Sequence, residues 1–388
     1  MKELEYSGTL KIVDKIRQLS KRGFDVVNFA GGTLDDAPGV VKEATKKAID
    51  DGLGSDLTDS AGLLELREVI AERLKLKEGV KADARSQIIV TIGAKNAILQ
   101  TLQATLEPQD EVLILDPYWP SYKPLVLLAG AVPRFVPMGY KKRFEVDVDN
   151  IASRITAKSR MIIINTPHNP TGRVFTKKEL EAVSDVAKKY NLFVLFDECY
   201  KELIYDHRKH YSIASFPGMA DRTVIVYSFS KAYTMYGWRV GYAVGDPEIV
   251  RRMVTIQSNS VSCPTSFAQK GAVAALKESE THLRRVVENY QRLRDTAVKR
   301  LNEIKGVSCD TPEGAYWVFP NVSEITNPSD PLVEYLLETG KIATTPGSAF
   351  GESRPEHLRI IYRHEPDYLT RGLKRLKEVI ENYPYHRK

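Results

Sequence analysis

Residues Thr223–Tyr242 read TVIVYSFSKAYTMYGWRVGY. The opening run, Thr223–Tyr227, is apolar and β-branched, the composition of a buried strand. It empties into Ser228, Phe229, Ser230 and Lys231; Arg239 follows eight residues later, and Val240–Val244 makes a second apolar run. Two hydroxyls, a lysine and an arginine at the end of a buried strand suit a site that holds a phosphate and uses an amine. A desolvated lysine beside other cations titrates low, and its neutral amine can form a Schiff base with a carbonyl. The plainer reading is a surface lysine whose stem lies along the protein while its head reaches water. The rest of the chain has to decide between them.

Working outward, strands and helices alternate. Strands are expected at Ile88–Ile92, Glu111–Leu115, Val132–Val136, Met161–Ile164, Leu192–Asp197, Thr223–Tyr227 and Val240–Val244. Helices fall at Pro38–Gly52, Leu63–Leu76, Ala94–Leu106, Ser121–Leu128 and Lys177–Tyr190. That alternation predicts an α/β fold with a mostly parallel seven-stranded sheet sandwiched by helices. Ligands of such sheets sit at the carboxyl ends of the strands, and the conspicuous polar residues fall there. A short strand is expected at Asp25–Ala30. After about Lys277 the texture changes to a long charged helix, Leu283–Ile304, short strands at Ala315–Phe319 and Leu358–Tyr362, and a closing helix, Tyr368–Tyr383, which read as a smaller α+β domain.

Composition narrows the function classes. With 56 Lys+Arg against 50 Asp+Glu the net charge is +6, and the basic residues are spread rather than clustered, so no nucleic-acid partner is indicated. Cys199, Cys263 and Cys309 are an odd, distant set, which argues against a disulfide framework or a zinc site. No apolar run approaches membrane-span length, and the first residues carry no apolar signal core, so the expectation is a cytoplasmic protein without a membrane partner.

Several turns carry chemistry. Gly93-Ala94-Lys95 ends one strand and opens a helix, whose free N–H groups and positive dipole end favour phosphate. No GxGxxG or Walker pattern is present, so a nucleotide is not the favoured ligand. In Asp116-Pro117-Tyr118-Trp119 the aromatics could cover a flat ring or simply pack. Asn165–Gly172, NTPHNPTG, is a rigid polar loop that could be scaffold or site. Asp197 ends the apolar strand LFVLFD, with Glu198 and Tyr200 beside it; it needs a cationic partner, or else caps a helix or joins a salt bridge. Arg359, in HLRIIYR, pairs with an acid or offers its planar fork to a substrate carboxylate.

The order of these features resembles that of the class I and II aminotransferases, pyridoxal-phosphate enzymes of fold type I. The similarity runs from about Ile16 to the last helix. NPTG, DECY and SFSKAYTMYGWRVG carry it, and SNSVSCPTSFAQ (Ser258–Gln269), EGAYWVFPNVS (Glu313–Ser323) and PGSAFG (Pro346–Gly351) resemble the prokaryotic aspartate and prephenate branch. The resemblance implies pyridoxal 5′-phosphate as cofactor, amino-acid and 2-oxo-acid substrates, ping-pong order and a homodimer. It implies an N-terminal arm and part of the small domain in 1–40, a large cofactor-binding domain in 41–280 and a small C-terminal domain in 281–388.

Residue by residue, the same resemblance makes Lys231 the covalent and proton-carrying amine and Asp197 the partner of the ring nitrogen. Tyr200 and Asn169 would bond the ring's phenolic oxygen, and Trp119 would stack on the ring. Gly93, Ala94, Lys95, Ser228, Ser230 and Arg239 would surround the phosphate. Arg359, assisted by Asn169, would bind the substrate α-carboxylate. Lys95 would reach the distal carboxylate, which favours aspartate and 2-oxoglutarate. Gly32 belongs to the segment that lines the substrate pocket, altered here to Gly31-Gly32-Thr33-Leu34-Asp35, and Leu57 stands where relatives carry a tyrosine that reaches the neighbouring subunit's phosphate; Thr58 is a candidate replacement. Aromatic, alanine or methionine-type donors, a β-lyase on the same scaffold, and a non-catalytic sensor module remain alternatives. A metal enzyme would have to use Asp206-His207…His210, which reads as a solvated loop.

Overall fold

The computed structural model describes residues 8–31, 36–139 and 143–384. In chain order its strands are β1 (Val27–Asn28), β2 (Ile88–Thr91), β3 (Glu111–Asp116), β4 (Val132–Pro137), β5 (Ser159–Asn165), β6 (Phe193–Asp197), β7 (Thr223–Ser228), β8 (Gly241–Val244), β9 (Trp317–Val318), β10 (Ile342–Ala343), β11 (Thr345–Pro346) and β12 (Leu358–Ile361). Seven of them form one sheet in the order β2-β8-β7-β6-β5-β3-β4. Strands β3 to β7 pair in parallel, and β8 runs antiparallel to both β2 and β7. The carboxyl ends of β2, β3, β5, β6 and β7 therefore share one edge of the sheet. Because β8 is reversed, its amino end, just after Arg239, lies at that same edge.

Side chains of a strand point alternately to opposite faces, and here both faces are dry. Ile89, Val112, Ile114, Val224 and Val226 pack with Ile98 and Leu102 of helix Gly93–Thr105 and with Ile249 and Met253 of helix Pro247–Ser260. Their neighbours Leu113 and Leu115 pack the other way, against Leu180, Val183 and Ala187 of helix Lys177–Lys189. Ile88, Val90, Ile225 and Tyr227 join Leu66, Ile70 and Leu74 of helix Leu64–Glu78. This two-sided burial is why the strands read as unbroken apolar runs.

The C-terminal part builds a three-stranded antiparallel sheet, β11-β12-β9, and a parallel pair, β1-β10. Helices Glu280–Asn302 and Pro366–Glu381 bury Tyr290, Leu293, Ala297, Leu369, Leu373 and Leu376 in one core with Trp317, Ile360 and Tyr362. The sequence reading set no bounds for helices Pro247–Ser260, Ser266–Glu278 and Asp330–Glu338. A start signal for the first was present: Asp246 caps the N–H of Glu248 and Pro247 occupies the first turn. The strand expected at Asp25–Ala30 is reduced to β1. Among the described residues, no helix is long and apolar enough to cross a membrane.

Candidate active site

The strand ends deliver their polar residues to one place. At the end of β2, Gly93 has φ 73, and a Cβ there would lie 2.7 Å from the Arg239 guanidinium. A Cβ on Gly241 would lie 2.8 Å from the backbone nitrogen of Ala94. Only glycine at both positions lets Arg239 and the N-terminus of helix Gly93–Thr105 approach each other. Arg239 is steadied by donating to the carbonyl of Tyr236 at 2.8 Å. Ser228 ends β7, and its hydroxyl accepts from the N–H of Ser230 at 3.2 Å. Partial burial, then the charges of Arg239 and Lys231, lower the pKa of Lys95, whose Nζ is 5.3 Å from the Trp119 ring.

Asp197 ends β6 and is buried. Its carboxylate accepts from the Tyr122 hydroxyl at 2.6 Å and from the Cys199 N–H at 3.0 Å. It caps no helix. Burial pushes its pKa up, while those two donors and the Lys231 charge pull it back. Asn165, at the end of β5, uses both ends of its amide. It donates to the Asp197 carbonyl at 3.0 Å and accepts from the Asn169 N–H at 2.8 Å. The Asn165–Gly172 loop is therefore both scaffold and site: it sets Asn169 beside Asp197. Within it His168 is buried, hydrogen-bonded to Thr171 and stacked on Phe175, and burial lowers its pKa to about 3.

Arg359 reaches the site from β12. It donates to the Asn169 side chain at 3.0 Å, and its guanidinium lies 4.7 Å from the Phe350 ring and 5.6 Å from the Trp317 ring. Among the described residues no carboxylate lies within ion-pair distance of it, so the alternative of an acidic neighbour does not hold. The Pro346–Gly351 turn has a supporting role. Tyr118 N–H donates to the Phe350 carbonyl at 2.7 Å, and Asp116 accepts from Ser353 at 2.7 Å, which ties β3 to the strand pair that carries Arg359.

Ala94, Lys95, Trp119, Asn169, Asp197, Tyr200, Ser228, Ser230, Lys231 and Arg239 line one cavity of about 180 Å³, with Gly93 just behind it. An adjoining cavity of about 370 Å³ shares Trp119, Asn169, Tyr200 and Lys231 and adds Arg359. Gly32 lies outside the described residues. Sequence reasoning missed Tyr122, Asn165, Tyr236, Tyr316, Trp317 and Arg363 as site residues. For Arg363 there was a signal, its place four residues after Arg359 in a strand-like run; for Tyr122 there was none. Leu57 is 78% exposed, and the Thr58 hydroxyl accepts from Gln269 at 3.2 Å. The Asp206…His210 segment does not gather as a metal cluster: Asp206 pairs with Arg294 and His210 with Glu198. Glu78, Glu198 and His210 do approach one another, with the Lys201 ammonium bridging the two carboxylates at 2.5 and 3.1 Å.

Comparison with known proteins agrees with this geometry. The model of the family "Aminotransferase class I and II" matches residues 25–376. An aromatic-amino-acid aminotransferase of Thermococcus litoralis is 38% identical over 372 residues, 95% of each chain. A probable aspartate/prephenate aminotransferase of Aquifex aeolicus is 38% identical over 385 residues, 97% of each. Among solved structures, the aspartate aminotransferase of Thermus thermophilus with maleate superposes with a TM-score of 0.92 at 32% identity, covering 97% of this chain and 98% of the other. A lysine, a buried carboxylate and a guanidinium on one cavity thus meet a family match over most of the chain, and this protein belongs to the class I and II aminotransferases.

Proposed function

We propose that this aminotransferase moves the amino group of an L-amino acid, with aspartate the favoured donor, to a 2-oxo acid, with 2-oxoglutarate the favoured acceptor. The observation that carries the reading is the convergence of Lys231, Asp197 and Arg359 on two joined cavities. Pyridoxal 5′-phosphate is the cofactor we assign. The residues fit it: a glycine-lined cradle at Gly93 and Gly241 beside Arg239 suits a phosphate, and a buried carboxylate suits a protonated ring nitrogen. The phosphate would be held by Gly93, Ala94, Lys95, Ser228, Ser230 and Arg239, the ring nitrogen by Asp197, the phenolic oxygen by Tyr200 and Asn169, and the ring face by Trp119.

When bound, that group supplies an electron sink for the carbanion formed at the substrate α-carbon. The chain supplies the rest. Arg359 binds the α-carboxylate through its planar fork, with Asn169 fixing its orientation. Lys231 Nζ takes the α-proton from the donor and, in the second half-reaction, places a proton on the α-carbon derived from the acceptor. Tyr122 orients Asp197 and favours its charged form, which would help to hold a protonated ring nitrogen. Donor and acceptor use the same site in turn, which gives ping-pong kinetics.

We also read the enzyme as a cytoplasmic homodimer, whose large domain is 41–280 and whose small domain combines part of 1–40 with 281–388. The pairing of β1 with β10 supports the domain division, and a largely exposed Leu57 supports the dimer. A second donor class, aromatic amino acids, is favoured by the rings of Trp119, Tyr200, Tyr236, Tyr316 and Trp317 on the larger cavity. The test is the absorbance spectrum of the purified protein before and after L-aspartate, with Lys231→Ala as control. A visible band that bleaches with aspartate is the expected result. A band that responds only to phenylalanine or alanine moves the donor, and no band after added pyridoxal phosphate overturns the reading.

A further inference from the structure

Arg359, Ile361 and Arg363 occupy alternate positions of one extended segment. The ladder continues past β12, because the Tyr362 N–H donates to the Tyr316 carbonyl at 3.1 Å. Alternation therefore sends Leu358, Ile360 and Tyr362 into the C-terminal core and turns Arg359, Ile361 and Arg363 to the larger cavity, which all three line, with Ile361 also packed on the core at its edge. Two buried guanidiniums thus enter one cavity from a single strand. Lys231 adds a third cation to the lining, and the described lining residues include no carboxylate.

Arg363 is held by ring faces and a hydroxyl. Its guanidinium carbon is 4.4 Å from the Tyr316 ring centroid and 5.0 Å from that of Tyr236, and Nη1 donates to the Tyr236 hydroxyl at 2.5 Å. Stacking uses the flat face of a guanidinium, while its hydrogen bonds lie in the plane. The Tyr236 and Tyr316 hydroxyls are 2.9 Å apart and complete the frame. Lys231 Nζ lies 4.7 Å from the same Tyr236 ring, so Arg363 and the reacting amine flank one side chain. A substrate whose α-carbon faces Lys231, with its α-carboxylate on Arg359, leaves this cationic end of the cavity for its other terminus.

Resting on the aminotransferase reading above, we infer that Arg363, framed by Tyr236 and Tyr316, determines specificity by taking the second carboxylate of a dicarboxylic amino acid. The sequence expectation gave that carboxylate to Lys95. Lys95 lines the smaller cavity with Arg239 and Asp197, whereas Arg363 shares the larger one with Arg359. The two arginines reach it from one strand, so their spacing is fixed by the backbone.

The test uses the holoenzyme and compares L-aspartate with L-alanine. Losing a buried charged contact to one donor but not the other lowers the aspartate-to-alanine ratio of kcat/KM by about 100-fold in Arg363→Met. Binding of maleate, a dicarboxylate with no amino group, read from the cofactor's absorbance, weakens in parallel. Tyr236→Phe, which removes only the hydroxyl that holds Arg363, shifts both readouts the same way by a smaller factor, and it reads the subsite if Arg363→Met does not fold. Equal losses for aspartate and alanine, or a selective loss in Lys95→Ala with none in the Arg363 and Tyr236 variants, overturns the inference. A wild-type enzyme that turns over alanine but ignores both aspartate and maleate overturns the favoured donor instead.

Discussion

The two walls of the active cavity hold their charges in different ways. One wall, which the proposed reading gives to the cofactor, is made from strand ends of the large sheet. Its polar groups are tied by hydrogen bonds to close neighbours: Asp197 by Tyr122 and Cys199, Arg239 by the Tyr236 carbonyl, and the Asn169 backbone by Asn165. The other wall, which the proposed reading gives to the substrate, is one strand; its two arginines each make a hydrogen bond, to Asn169 and to the Tyr236 hydroxyl, and in addition rest on the rings of Trp317, Phe350, Tyr236 and Tyr316. A ring face steadies a guanidinium without neutralising it. On the proposed reading, the first wall keeps one group in place through every turnover and the second receives anions that come and go.

The sharpest way to break this contrast is at Asp197. Asp197→Asn keeps the shape and removes the charge, and kcat should fall by about 10⁴-fold, the size seen when an orienting carboxylate of a catalytic group is neutralised. A loss below tenfold would mean that the wall holds the ring without setting its charge.

Acid tests both walls together. His168 on the first wall, and His357 and His364 around the second, are buried, and burial lowers their pKa values to about 3, 3 and 4. Their folded values lie below the unfolded value of about 6.5. Above pH 6.5 the histidines are neutral in both states and their stabilisation is complete. Below it the unfolded chain takes up protons that the folded chain refuses, so stability falls until the pH passes the folded values. Three such groups give a slope approaching about 4 kcal/mol per pH unit between pH 6 and 4. Urea midpoints across that range measure it; His168→Gln should remove about a third of the slope, and an unchanged slope would mean that His168 is protonated in the fold.

Arg359→Leu separates the arginines within the second wall. Every amino-acid donor has an α-carboxylate, so the expected loss, about 100- to 1,000-fold in kcat/KM, is the same for aspartate, alanine and phenylalanine. A donor-selective loss would exchange its role with that of Arg363. The smallest effect is expected at Tyr122→Phe. One hydrogen bond to a charged carboxylate is worth about 1.5–3 kcal/mol, so a loss of about tenfold or more in kcat should accompany a shift in the pH profile.

Much of the first wall was legible because its parts are local. Gly93-Ala94-Lys95, Asn165–Gly172 and Ser228–Lys231 are turns whose composition states their geometry, and each sits where an apolar run ends. The seven strands were legible because dry faces on both sides demand unbroken apolar runs. The second wall was legible only at Arg359. Tyr236 and Tyr316 meet Arg363 through tertiary packing between segments far apart in sequence, and Tyr122 reaches Asp197 from a helix with no motif of its own. The aromatic rings that support the arginines look in sequence like ordinary core residues, which many of them also are.

The β1–β10 pairing has a consequence for how the molecule comes into being. Val27 and its partner Ile342 stand far apart in the chain. The large sheet, by contrast, is complete in sequence by Val244. A chain emerging from the ribosome can thus finish the sheet that carries Lys231 and Asp197 while its opening strand still waits for a neighbour. Closing so long a loop makes this a late and slow contact. The strand bearing both arginines follows Ile342, so on the proposed reading the groups that hold a substrate are made well after the sheet that carries Lys231 and Asp197.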